Sequence, residues 1–236
     1  MKIQAIKTRI FKENENLFNF ILESIPKISD GDMIVVTSKI VALSEGRTVE
    51  ILNNKTHEEI IKKESQFMMR TKYTWLTIKD GIVLASAGVD ESNANGKIIL
   101  LPKDSFDSAL FLRKKLRKHF KIKNLGIIIS DSRLLPLRAG VVGIALGYAG
   151  FEGVKSYINK PDIFGRTLKF SRTDVADSLA TGAVLLMGEG NECQPLAIIK
   201  DAPVVFINKL NKKELYIDPK EDMYQPLFER IKKIKF

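Results

Sequence analysis

Leu125-Gly126-Ile127-Ile128-Ile129-Ser130-Asp131 is the stretch on which the reading of this chain turns. Three consecutive isoleucines bounded by glycine and serine predict the central strand of a sheet, delivering Asp131 at its C-terminal end. Met33-Ile34-Val35-Val36-Thr37 predicts a second short buried strand, entered through the turn Asp30-Gly31-Asp32 and ending in Ser38-Lys39. Around these strands the apolar spacing predicts helices. One runs from Asn16 to Ile25 and is stopped by Pro26, and a solvated one runs from His57 to Phe67. A third covers Ser105–Phe120, with Ser105 as N-cap and Ala109, Leu112, Leu116 and Phe120 on its apolar face. A buried fourth covers Val175–Met187, capped by Thr173 or Asp174 and ended by Gly188-Glu189-Gly190. Thr74–Ile78 and Ile82–Ala85 flank Lys79-Asp80-Gly81 and predict a hairpin, in which Tyr73 and Trp75 pack. Pro195–Ile199 and Val204–Ile207 read as further strands, and Met223–Ile234 as a last helix carrying the basic tail. The run Gly140–Gly150 holds four glycines among small apolar residues, so backbones are expected to approach closely there. The expectation is an α+β fold of mixed sheets with packed helices, continuous over residues 1–236, without repeats or linkers.

Composition narrows the chemistry. A chain of 236 residues that is 44% apolar and 28% charged can bury a core without cross-links. One cysteine, Cys193, excludes a disulfide framework and a four-cysteine zinc site, and two histidines exclude a three-histidine metal centre. Lys+Arg 38 against Asp+Glu 28 gives a formal charge of +10, which favours anionic partners such as nucleotides. With no signal peptide and no long apolar span, a cytoplasmic protein without membrane contact is expected.

Three acidic segments are expected in turns: Ala87–Asn93 with Asp90, Ser130-Asp131-Ser132, and Gly188–Glu192 with Glu189. Carboxylates beside hydroxyls and glycines suit Mg²⁺ or Mn²⁺, which take oxygen ligands and leave positions to water and phosphate. The plainer alternative is that Asp90 and Asp131 cap turns. The chain has no G-x-x-x-x-G-K-[ST] loop, but the amide-rich run Gly188–Pro195 offers backbone N–H groups to phosphates, and Ser38-Lys39 adds a hydroxyl and a cation. The basic run Arg113, Lys114, Lys115, Arg117, Lys118 and His119 lacks interleaved aromatics, so nucleic acid is the weaker partner. His57 and His119 read as solvated, and Cys193 as incidental.

Read in order, these segments resemble the GTP-dependent gamma-glutamyl ligases of the deazaflavin coenzyme (coenzyme F-420) pathway, from about Gly31 to about Asp201. The resemblance is carried by Gly31–Lys39 with Glu45-Gly46-Arg47, Ala87–Asn93, Asp131-Ser132 and Arg138–Gly143. Asp162–Arg166, Val175-Ala176-Asp177 and Met187–Gly190 complete it. It implies two interleaved subdomains and an intertwined homodimer, with two divalent ions and a monovalent cation such as K⁺ as an aid. Metal ligands would be Asp90, Asp131, Ser132 and Glu189. Nucleotide contacts would fall on Ser38, Lys39, Asn93 and the loop holding Gly188, Glu189, Gly190, Asn191 and Gln194. Thr8-Arg9-Ile10-Phe11 stands where the family's guanine-touching Leu-Pro-x-Ile-like segment lies. Leu43 replaces a family lysine, and Ser132-Arg133-Leu134-Leu135 replaces Thr-x-Gly-Arg, leaving Arg133 as a shifted substitute.

The implied reaction is phosphorylation of an acceptor carboxylate by GTP, then attack by the amine of L-glutamate on the acyl phosphate. Asp90, Asp131 and Arg138 would be catalytic, with Arg138, Arg166 and Arg172 as clamps for carboxylates and phosphates. Two alternatives stay open at this point: glutamylation of another anionic acceptor such as folate, and a non-catalytic nucleotide- or RNA-binding homologue.

Overall fold

A computed structural model of the chain describes residues 1–50 and 54–228. In chain order the elements are β1 (Lys2–Ile6), α1 (Leu17–Ser24), β2 (Met33–Thr37), α2 (Ser38–Ser44), β3 (Thr48–Glu50), α3 (Asn54–Glu64) and the meander β4 (Phe67–Arg70), β5 (Trp75–Lys79) and β6 (Ile82–Ala85). They continue with β7 (Lys97–Ile99), α4 (Ser105–Phe120), β8 (Gly126–Leu134), β9 (Val141–Ala149), β10 (Val154–Ser156), β11 (Arg172–Asp174), α5 (Val175–Met187) and β12 (Leu196–Lys200). A short turn of helix at Gln225–Phe228 follows.

The centre is a five-stranded mixed sheet in the order β1-β12-β2-β8-β9, in which β2 and β8 run parallel and the other neighbours antiparallel. Strand alternation divides its side chains between two cores. Ile34, Val36, Ile127, Ile129, Leu196 and Ile198 meet α1 and α4 on one face. Met33, Val35, Ile128, Ala197 and Ile199 meet α5 on the other. Both faces being covered is why β2 and β8 read as unbroken apolar runs.

The strand read at 125–130 is an interior strand of the sheet, fourth of five beside the middle strand β2, and it is longer than expected. After a register shift between Ile129 and Ser130 it continues to Leu134, so Asp131 and Ser132 sit within the strand and not in a turn beyond it. The Gly140–Gly150 run holds β9, in which Gly143 and Gly147 serve contacts inside the chain, while Gly140 before it has open space around it. A Cβ on Gly147 would lie 2.4 Å from the Ser105 carbonyl carbon at the start of α4, and one on Gly143 would lie 2.6 Å from the Ala180 carbonyl oxygen of α5.

The second layer is built from residues between α2 and α4. β3 pairs with β7, and β4-β5-β6 form an antiparallel meander whose Asp80-Gly81 turn has both φ values positive, as a two-residue hairpin requires. Leu84 and Leu101 pack on Ile144 and Leu146 of β9, seating this layer on the central sheet.

Several expected details shift. The cap of α4 is Asp104, whose carboxylate accepts from the Asp107 N–H at 2.9 Å, one residue before Ser105. The helix expected at 57–67 spans Asn54–Glu64, and Phe67 opens β4. Ser38-Lys39 opens α2, where β-branched Ile40 and Val41 had masked the helical signal. Val204–Ile207 forms no strand; Phe206 makes a single bridge to Phe151. Tyr73 is exposed, while Trp75 packs beneath the Arg70 guanidinium at 5.1 Å. Of the expected last helix, residues 229–234 lie outside the described residues.

Candidate active site

A cleft of about 880 Å³ opens where the ends of the central strands meet three loops. It is lined by Thr8–Glu13 after β1, by Ser38 and Lys39 at the start of α2, and by Asp90 and Ser92–Asn95. Ser130–Ser132 of β8 and Gly188–Pro195 after α5 complete the wall. The segments are tied to each other across it. The Asn93 side-chain amide donates to the Gly190 carbonyl at 3.0 Å, and the Thr8 N–H donates to the Cys193 carbonyl at 2.8 Å.

The acidic residues differ in state. Asp90 accepts from the Ser92 N–H at 2.7 Å and from its hydroxyl at 2.9 Å, and its other partner is the Lys39 ammonium at 2.8 Å. Burial opposes its charge, but Lys39 and Ser92 outweigh it and hold the carboxyl below the usual range. Asp131 is the opposite case. Its desolvation in the cleft, with the negative charge of Asp90 adding to it, pushes its pKa up to about 6 against the Ser132 N–H, Ser38 and Lys39. Glu189 is likewise raised, first by burial and then by Asp90 and Glu192. The Ser132 hydroxyl lies 3.4 Å from the Glu189 carboxylate, joining β8 to the loop after α5. Among the described residues no three histidine, cysteine, aspartate or glutamate side chains form a ready-made metal cage.

The glycine loop already holds an anion of its own. The Gly190 N–H donates to the Glu192 carboxylate at 2.8 Å. Gly188 has a φ of +82°, and a Cβ there would come within 2.4 Å of the Glu192 carboxyl carbon. Gly190 has room for a Cβ, its nearest neighbour being 3.4 Å away.

A profile of the F420-0:gamma-glutamyl ligase family matches residues 5–201. The chain belongs to the F420-0:gamma-glutamyl ligase family. It is 34% identical over 94% of its length to the coenzyme F420:L-glutamate ligase of Methanocaldococcus jannaschii, covering 95% of that protein. Proteins of the same name from Methanococcus maripaludis and Methanosarcina mazei are 33% and 31% identical over 95% and 92% of the chain. Membership makes the chain an amide-forming ligase.

The ligase family's segments fall in two groups in this fold. Thr8, Arg9, Ile10, Phe11, Ser38, Lys39, Asp90, Asn93, Asp131, Ser132, Gly188, Glu189, Gly190, Asn191 and Gln194 all line the one cleft. Arg138 does not; it is exposed in the loop between β8 and β9, and Arg166 and Arg172 are exposed too. Arg133 faces Asp177 of α5 at 3.5 Å, away from the cleft wall. The Glu45-Gly46-Arg47 segment is a brace. Glu45 accepts from the Lys103 N–H and the Ser108 hydroxyl, both at 2.8 Å, and Arg47 pairs with Glu64 at 2.8 Å. Arg9 pairs with Glu15 and, at 2.9 Å, with Glu23. The sequence gives no hint of Glu13 and Lys97, which pair at 2.8 Å on the cleft wall from positions far apart in the chain.

Proposed function

We propose that this ligase adds L-glutamate, through a γ-glutamyl amide, to a carboxylate of F420-0, driven by GTP through an acyl phosphate. The observation that carries this reading is the convergence of Asp90, Asp131, Ser132 and Glu189 with Lys39 and the Gly188–Pro195 loop on one cleft. The relatives matched over nearly the whole chain bear that activity in their names.

The donor set fits a hard divalent cation. Asp90, Asp131, Glu189 and the Ser132 hydroxyl offer only oxygen, and the strain of desolvation and like charge on Asp131 and Glu189 is what a cation relieves. When bound, Mg²⁺ or Mn²⁺ supplies charge neutralisation for phosphoryl transfer. The chain's own groups do the rest. The Gly190 N–H is already aimed at a carboxylate oxygen, so a nucleotide phosphate takes that donor as Glu192 yields it. Lys39 spans Asp90 and the phosphate region as a point charge. The raised pKa of Asp131 belongs to the metal-free cleft, and a bound cation favours its charged form.

We further propose a homodimer. Leu137 at the β8–β9 loop and Ile163, Phe164 and Phe170 between β10 and β11 are exposed and apolar, which suits contact with a second copy. A calorimetric titration tests the nucleotide reading. GTP binds measurably with Mg²⁺ and more weakly without it; failure of both GTP and ATP to bind at millimolar concentration with metal overturns the reading.

A further inference from the structure

A second concavity of about 560 Å³ lies between α4 and Asn208 and shares no lining residue with the cleft. Arg113, Lys114, Arg117 and Lys118 are four of its seven lining residues. Arg113 is only 4% exposed. Its Nε donates to the Leu125 carbonyl at 2.8 Å and its Nη2 to the Asn208 amide oxygen at 3.0 Å. Arg117 reaches the same Asn208 oxygen at 3.3 Å, so one neutral oxygen serves two guanidinium groups. The Arg117 Nε is buried and has no hydrogen-bond partner.

Among the described residues no carboxylate pairs with these charges. The acids at the start of α4, Asp104 and Asp107, are both held by Lys212, at 2.6 and 2.8 Å. Among the described residues none of the four cations of the pocket is in an ion pair. Burying a guanidinium beside a second one is costly unless an anion joins them, and the ionised form of Arg113 is disfavoured by burial and then by Arg117.

We infer that this pocket binds a phosphate-class oxyanion, either inorganic phosphate or the head of a phosphate monoester, between Arg113 and Arg117 with Lys114 and Lys118 at its rim. A compact dianion matches two planar forks better than a single carboxylate does. The lining offers no aromatic ring on which a base could stack, which separates the site from a nucleic-acid surface.

The test is calorimetric titration of the full-length chain, without divalent metal, with inorganic phosphate and separately with a sugar phosphate monoester. The wild type shows saturable binding of at least one of them, and the tighter of the two identifies the source. Arg117→Gln loses about tenfold or more in that affinity. Asp131→Asn, altered in the cleft, retains it. Arg117→Lys keeps the charge and loses the fork; it folds where the glutamine variant does not, and is expected to bind several-fold more weakly than wild type. Absence of saturable binding by the wild type overturns the inference, as does unchanged binding in both Arg117 variants. So does a loss in Asp131→Asn with none at Arg117. If Lys118→Gln and Arg117→Gln lose equally while tight binding of a short single-stranded RNA falls in parallel, the surface is a diffuse polyanion face and the inference is wrong.

Discussion

Asp131 and Asp90 are both aspartates in one cleft, yet their surroundings push them in opposite directions. Asp90 has Lys39 at 2.8 Å; Asp131 has burial and the charge of Asp90 against it. The raised Asp131 pKa of about 6 means that the fold favours its protonated form. Its contribution to stability is therefore complete below the ordinary carboxylate range and is lost as pH rises through about 6. Asp131→Asn resembles the protonated form, so it is expected to unfold at higher temperature than wild type at neutral pH, by about 1–2 kcal/mol, with the difference vanishing near pH ~3. Ligase activity is lost in the same variant, and added Mg²⁺ raises the melting temperature of wild type only. A variant less stable than wild type at neutral pH would show that Asp131 is a structural cap. The two loop glycines separate likewise. Gly188→Ala, at a φ of +82° and against the Glu192 carboxyl, is expected to cost about 1–2 kcal/mol in denaturant melts. Gly190→Ala, where a Cβ fits, leaves the melt near wild type and weakens nucleotide binding in calorimetry. Equal effects of the two on stability, with nucleotide affinity untouched, would remove the loop from the phosphate site.

At the scale of elements, β9 shows what the sequence could and could not reveal. Four glycines between residues 140 and 150 signalled close approach, and the signal was sound. The approach is of α4 and α5 to the two faces of one strand. Gly147→Ala is expected to lose about 1–3 kcal/mol in urea unfolding, because its Cβ would meet backbone that cannot rotate away. A cost near zero would mean that α4 is free to shift. Legible in the sequence were the elements with strong local chemistry. These include the triple isoleucine of β8, the apolar spacing of α1 and the Asp-Gly turn of the meander. So were the segments that converge on the cleft, because hydroxyls, glycines and acids at element ends are local features. What the sequence hid depends on distance along the chain. Glu13 and Lys97 pair from different layers, and Arg133 turns to Asp177 on α5. No spacing rule encodes such tertiary meetings. The extension of β8 past its bulge, which places Asp131 inside a strand, had no turn residue to announce it.

For the whole molecule, a formal charge of +10 suits the anionic nucleotide proposed for the cleft. Among the described residues no helix is long and apolar enough to cross a membrane. Under the proposed dimer, the exposed apolar residues Leu137, Ile163, Phe164 and Phe170 are candidate contacts. Light scattering at micromolar concentration is expected to give twice the chain mass, and Phe164→Ser to shift it toward the monomer; a wild-type mass equal to one chain contradicts this. The central claim, that the cleft couples nucleotide hydrolysis to glutamylation, is tested most directly by measuring release of nucleoside diphosphate from GTP and Mg²⁺. Release is expected only when F420-0 and L-glutamate are both present, in step with the glutamylated product and abolished in Asp131→Asn. No release with the complete mixture, or equal release when glutamate or F420-0 is left out, would contradict it.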